Sequence, residues 1–128
     1  MPEIDFWFSI GSTYSFLTIM RLDDWCDEHD ATVNWRPFNV RTVMSEQQNI
    51  PFAGKPAKSA YMWRDIERRA AKYHLHATLP APYPISDLAL ANQVAVLGMS
   101  DGWGKSFTQN LYRIWFEEGI EAGSETAL

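Results

Sequence analysis

Ser12 is the residue whose type and position most directly suggest chemistry. It stands in Ile4-Asp5-Phe6-Trp7-Phe8-Ser9-Ile10-Gly11-Ser12-Thr13-Tyr14-Ser15-Phe16-Leu17, where a pleated pattern gives way to a helical one. A strand that turns sharply into a helix leaves the first backbone N–H groups of the helix at the turn. Those groups, with the positive end of the helix dipole, attract an anion. A serine placed there can donate its hydroxyl to a bound thiolate, carboxylate or phosphate. It can also cap the helix, a role worth roughly 0.5–2 kcal/mol over alanine. The two roles are compatible.

Other reactive types give less. Cys26 is the single cysteine, which excludes an internal disulfide and a CxxC redox pair. In a helical run with Ile19 and Leu22 it reads as a buried, inert thiol. His74 and His76 have metal-pair spacing but no third ligand nearby. No glycine-rich phosphate loop, GxSxG elbow or HExxH is present. Arg36 and Arg41 can meet a carboxylate or simply be solvated. Trp7, Phe8, Tyr14, Trp35, Phe38, Tyr61 and Trp63 can wall an aromatic pocket or pack a core.

The elements that must position these residues follow from periodicity. Ile4, Phe6 and Phe8 alternate with Trp7, predicting a strand. Phe16, Ile19, Leu22 and Cys26 predict one helix over 14–29, with Asp23, Asp24, Asp27 and Glu28 crowding its distal half. Ala31 to Phe38 predicts a second strand, closed by Pro37. Strand, helix and strand in about forty residues make a βαβ unit with parallel strands. Helices are then predicted near Thr42–Gln47, over 57–74, from a Ser86 cap to about Leu97 with Gly98 ending it, and over 105–118 before Gly119. The 57–74 helix carries the stripe Met62, Ile66, Ala70 and Tyr73. His74 to Ile85 is a proline-rich connection, and 121–128 has no periodic signal. The class is α/β, divided into a βαβ unit over 1–40 and a helical block over 41–128.

With 128 residues the chain can bury one core. A net charge of −5 argues against nucleic acid and anionic membrane surfaces as partners. No stretch has the length and apolarity of a membrane span. Met1-Pro2-Glu3-Ile4-Asp5 lacks the basic start and apolar run of a signal peptide, giving a cytoplasmic expectation.

Asp5-Phe6-Trp7-Phe8-Ser9-Ile10-Gly11-Ser12-Thr13-Tyr14-Ser15-Phe16-Leu17 resembles the opening of the 2-hydroxychromene-2-carboxylate isomerases and of the related kappa-class glutathione transferases. Thr13 stands where that family usually has proline, so the preset φ of proline is lost. The resemblance implies a thioredoxin-like, DsbA-type βαβ unit followed by an all-helical insertion. The C-terminal ββα part, with its cis-proline turn, would follow Leu128. It implies glutathione as cofactor, its thiol held by Ser12 and the rest bound by Asn49 and Lys58. Read without it, Asn49 is a turn residue and Lys58 a solvated lysine. The implied reaction is reversible addition of the thiolate to a conjugated aromatic substrate, rotation about the former double bond, and release. The implied working unit is a homodimer acting on a small aromatic molecule. Two alternatives stand beside the isomerase: a glutathione transferase, and a truncated non-catalytic chain that binds or oligomerises through an exposed sheet edge.

Overall fold

The structure is a computed structural model and describes residues 2–47 and 55–124. Strands β1 (Glu3–Phe8) and β2 (Thr32–Pro37) pair in parallel, in register from Glu3 opposite Thr32 to Phe8 opposite Pro37. Alternation decides their faces. On one, Phe6 and Phe8 stack at 5.2 Å and Trp35 meets both rings edge-on. On the other, the Asp5 carboxylate accepts from Asn34 and Arg36, and Trp7 is 62% exposed. The predicted βαβ unit with helices after it is the architecture found.

The single helix predicted over 14–29 is two. Helix α1 spans Ser15–Ile19 and α2 spans Leu22–His29. The break has a cause at Arg21. Its side-chain Nε donates to the Leu17 carbonyl at 2.8 Å, taking the acceptor its own backbone N–H would use. That N–H turns instead to Thr18, one residue closer. A side chain inserted in the ladder kinks a helix in this way. Helix α2 closes on Asp30, at φ 53°, with the Ala31 N–H on the Cys26 carbonyl. Cys26 is half-buried rather than buried.

Helix α3 (Val40–Glu46) starts two residues before the predicted position, because the Asn39 side chain accepts from the N–H groups of Arg41 and Thr42. Helix α4 (Pro56–Lys72) opens on a proline, whose missing N–H costs nothing in a first turn. It ends in a left-handed residue, His74, with Leu75 N–H donating to Ala70. Met62, Ile66 and Ala70 of its stripe are buried, and Tyr73 lies under the Arg21 guanidinium at 3.6 Å.

Helix α5 (Leu88–Asp101) is capped by Asp87, not by the predicted Ser86. Asp87 accepts from Leu90 N–H, while the Ser86 N–H is taken by the Glu121 carboxylate at 2.7 Å. The helix also runs through Gly98 and stops at Gly102, at φ 92°. Gly98 is small for packing instead: a Cβ there would meet the Gly104 Cα at 2.7 Å. Helix α6 (Gly104–Glu118) ends on Gly119 as predicted.

One cluster of buried residues runs from Phe8 to Ala122. At its centre Phe16 of α1 stacks on Phe116 of α6 at 4.1 Å, beside Tyr112 and Trp115. Helix α1 packs on α4 and α6, and α5 packs on β2 and α6. The segment after β1 is therefore seated against two later helices, α4 and α6. No helix among the described residues is long and apolar enough to cross a membrane.

Candidate functional site

Between β1 and α1 the chain makes a tight turn, with Ser12 N–H donating to the Ser9 carbonyl at 3.1 Å. Gly11 has φ 115°, a conformation that disfavours side chains, and a Cβ there would strike Leu88 of α5 at 2.6 Å. Ser12 is not the N-cap of α1. That place belongs to Tyr14, whose side chain makes no cap, and Phe16 N–H turns back to the Thr13 carbonyl. The Ser12 hydroxyl thus has no protein partner among the described residues.

The turn that carries that hydroxyl is held by hydrogen bonds from later elements. Asn92 of α5 accepts from Ile10 N–H at 2.8 Å and donates to the Ile10 and Leu88 carbonyls at 3.0 and 2.8 Å. The Tyr112 hydroxyl of α6 donates to the Ser12 carbonyl at 2.9 Å, with the Ser9 carbonyl at 3.2 Å. Complete burial pushes the Tyr112 phenol far above its usual range, so it stays a neutral donor. The Ser9 hydroxyl accepts from Val40 N–H, tying the start of α3 to the turn. The Thr13 hydroxyl, at the position where proline was expected, is buried and donates to the Met62 sulfur at 2.9 Å. Tyr14 donates to Asp65 of α4 at 2.7 Å.

A cavity of about 270 Å³ opens over the turn. Its floor is Ser9 to Ser15 without Ile10, and its walls include Trp7, Phe38, Tyr83, Met44 and Leu88. Among the described residues Arg41 is the single charged one lining it. The Ser9, Thr13 and Tyr14 hydroxyls are engaged as above. The Ser12 hydroxyl, unlike these three, has no partner among the described residues. Its surroundings can hold an anion or a polarisable sulfur by one donated hydrogen bond, with an aromatic plane beside it. The helix dipole invoked from the sequence adds little, because α1 has only five residues.

Of the expected aromatic walls, Trp7, Tyr14 and Phe38 line this cavity. Phe8 and Trp35 pack in the sheet cluster, Tyr61 is 70% exposed, and Trp63 meets Tyr83 at 6.0 Å. Lys58 is an exposed residue in the first turn of α4 and does not line the cavity. It lies one turn before Met62, about 6 Å along the axis, on the stripe that touches Thr13. Asn49 lies outside the described residues.

Sequence reasoning missed Tyr83, Asn92 and Tyr112. Asn92 left a weak signal, one of two adjacent amides in the otherwise apolar run Leu88-Ala-Leu-Ala-Asn-Gln-Val-Ala-Val. Tyr112 left none that separates it from ordinary core.

A larger cavity of about 490 Å³ lies along β1 and the α1–α2 junction, between Ile4, Phe6, Trp7, Leu22 and Trp25. Its charged groups are already paired: Asp5 with Asn34 and Arg36, Arg21 with the Leu17 carbonyl. The Ser12 cavity is the better candidate for chemistry.

Comparison with known proteins places the fold. The chain is 29% identical over 115 residues to a 2-hydroxychromene-2-carboxylate isomerase from Sphingobium xenophagum, which covers 88% of this chain and 57% of that protein. It is 33% identical over 84 residues to glutathione S-transferase kappa 1 from Caenorhabditis elegans, covering 62% of this chain and 36% of that one. A solved 2-hydroxychromene-2-carboxylate isomerase shares the fold at a TM-score of 0.78 and 21% identity, across 96% of this chain and 61% of that one. The chain thus spans less than two thirds of the length of these relatives. The family model for the DSBA-like thioredoxin domain matches residues 3–128, and the chain belongs to that family.

Proposed function

We propose that this chain carries the glutathione half of a glutathione-dependent isomerase of the 2-hydroxychromene-2-carboxylate isomerase type. One observation carries the reading: among the described residues the Ser12 hydroxyl is without a protein partner, in a turn whose backbone is held by Asn92 and Tyr112. The donor set suits the cofactor. A hydroxyl in the lining of an open cavity favours a thiolate over a thiol, because a hydrogen bond to the charged form is lost on protonation. When bound, glutathione supplies a sulfur nucleophile whose reversible addition to a conjugated double bond permits isomerisation about it.

In this reading Ser12 holds the sulfur and keeps it ionised. Asn49 and Lys58 bind the peptide part, Lys58 by its position one turn from Met62. Trp7, Phe38 and Tyr83 exclude water and hold a small aromatic substrate flat. The names of the relatives support glutathione and a conjugated carboxylate as the chemistry, and a transferase uses the same half-site. A reducing cytoplasm and a homodimer belong to the same proposal, the latter tested by light scattering.

Calorimetric titration of glutathione into the 128-residue chain, with Ser12→Ala beside it, decides the matter. A hydrogen bond to a charged group is worth about 1.5–3 kcal/mol. Saturable binding should therefore weaken at least about tenfold in the variant. Equal affinity of both proteins, or no heat from either, removes the reading for this chain. A second reading, a non-catalytic chain that binds or oligomerises, has one feature in its favour. Among the described residues β1 is paired on one edge only, and its Trp7 is largely exposed. Oligomerisation without glutathione binding is its outcome.

A further inference from the structure

Arg41 is placed in the Ser12 cavity by contacts that leave its guanidinium uncommitted. Its backbone N–H is held by the Asn39 side chain at 3.1 Å, and the neighbouring Val40 N–H by the Ser9 hydroxyl at 3.2 Å. Ser9 belongs to the same turn as Ser12, so the start of α3 and the candidate nucleophile site share one frame. Among the described residues the Arg41 side chain makes no hydrogen bond or ion pair. Arg36 is the contrast: it lies on the exposed face of the sheet, paired with Asp5 at 3.0 Å. Arg41 lies near enough to Tyr83 for its charge to oppose the upward push that burial gives that phenol.

We propose that Arg41 is the specificity-determining residue of this cavity, selecting planar conjugated ligands that bear a carboxylate over their neutral counterparts. This rests on the functional reading above only in taking the same cavity as the site. A half-buried guanidinium is a strong, geometrically specific partner for a carboxylate. It stands among the aromatic walls Trp7, Phe38 and Tyr83, and among the described residues no acidic one lines the cavity to neutralise it. A flat ring along those walls brings a carboxylate on its side chain toward α3 and its double bond toward Ser12. The carboxylates of glutathione share this chemistry, but they belong to a flexible aliphatic peptide with no plane for the aromatic walls to recognise.

The test uses cinnamate and cinnamamide, equal in shape and differing in charge, titrated into the full chain by calorimetry without glutathione. The wild-type chain should bind cinnamate about tenfold tighter than cinnamamide, the scale of one charge-assisted contact. Arg41→Gln should bring the two within about twofold, Arg41→Lys should keep part of the preference, and Arg36→Gln should keep all of it. Circular dichroism checks that each variant is folded. The proposal is overturned if the wild type does not discriminate, if neither probe binds, or if the preference survives in Arg41→Gln. It is also overturned if Arg36→Gln abolishes the preference equally, or if Arg41→Gln weakens glutathione while sparing the cinnamate preference. Because glutathione is absent from the main titration, charge discrimination can succeed while the Ser12 reading fails, and the reverse.

Discussion

Asn92 and Ile10 exchange two hydrogen bonds across 82 residues of chain, the Ile10 N–H donating to the Asn92 side-chain oxygen and the Asn92 amide donating back to the Ile10 carbonyl. The side chain does for this turn what a neighbouring strand would do, since Ile10 is fully buried and no water reaches its backbone. The helical block is therefore part of the site, holding the backbone two residues before Ser12. Asn92→Leu keeps the branched shape and removes both bonds, leaving two backbone groups buried and unpaired. We expect a loss of about 2–4 kcal/mol in urea unfolding. A change under about 0.5 kcal/mol means the turn holds itself.

Tyr112 works on the same turn from α6. Its single hydroxyl hydrogen serves the Ser12 carbonyl at 2.9 Å more closely than that of Ser9 at 3.2 Å. Tyr112→Phe keeps the ring between Trp115 and Phe116 and deletes only the donor. Stability should fall by about 1–2 kcal/mol. If the hydroxyl also orients Ser12, glutathione affinity should drop severalfold, less than in Ser12→Ala. Unchanged affinity with reduced stability confines Tyr112 to a structural role.

Tyr14 and Asp65 set a pH window. Burial, and then the bond to Asp65, push the Tyr14 phenol up to about 12, while the Tyr14 and Arg69 hydrogen bonds hold the Asp65 carboxyl below its usual 3.8. A raised folded pKa gives stability that is complete below the unfolded value of 10 and lost as pH climbs toward 12. A lowered one gives stability present above 3.8 and lost as pH falls through the folded value. The wild-type minus Tyr14→Phe difference in unfolding free energy should be flat from about pH 5 to 9 and shrink beyond both ends. In the variant, the Asp65 carboxyl carbon should titrate closer to 3.8 by NMR. A difference that stays constant to pH 11 contradicts the coupling.

The parts legible in the sequence were those with local periodicity. Phe6, Phe8 and Trp35 announced two strands by alternation, and Met62, Ile66 and Ala70 announced α4. Where one residue type serves two physical ends, the reading slipped. Gly98 looked like a helix stop and is a point of close approach. Ser86 looked like a cap, but its N–H serves Glu121, and Asp87 does the capping. The α1–α2 break was invisible because it depends on where the Arg21 side chain turns. The turn at Ser12 was legible from the change of period, yet what fixes it was not. Asn92 and Tyr112 act from 80 to 100 residues away, and such pairing leaves no local pattern.

Gly98 and Gly104 let α5 and α6 cross at backbone contact, and that crossing presents Asn92 and Tyr112 to the same turn. A Cβ on Gly104 would run into the Met99 amide nitrogen and, at 2.7 Å, the Gly98 carbonyl carbon. Backbone atoms cannot rotate away, so the helices must separate. Gly104→Ala should cost about 3 kcal/mol, the upper end for over-packing. Gly102→Ala is the control: nothing lies within 4 Å, and its φ of 92° makes the penalty conformational only, about 1 kcal/mol. If the crossing sets the site, Gly104→Ala should also weaken glutathione binding more than Gly102→Ala, under conditions where both chains remain folded. Equal affinity in the two variants would show that the Ser12 turn tolerates movement of the helices behind it.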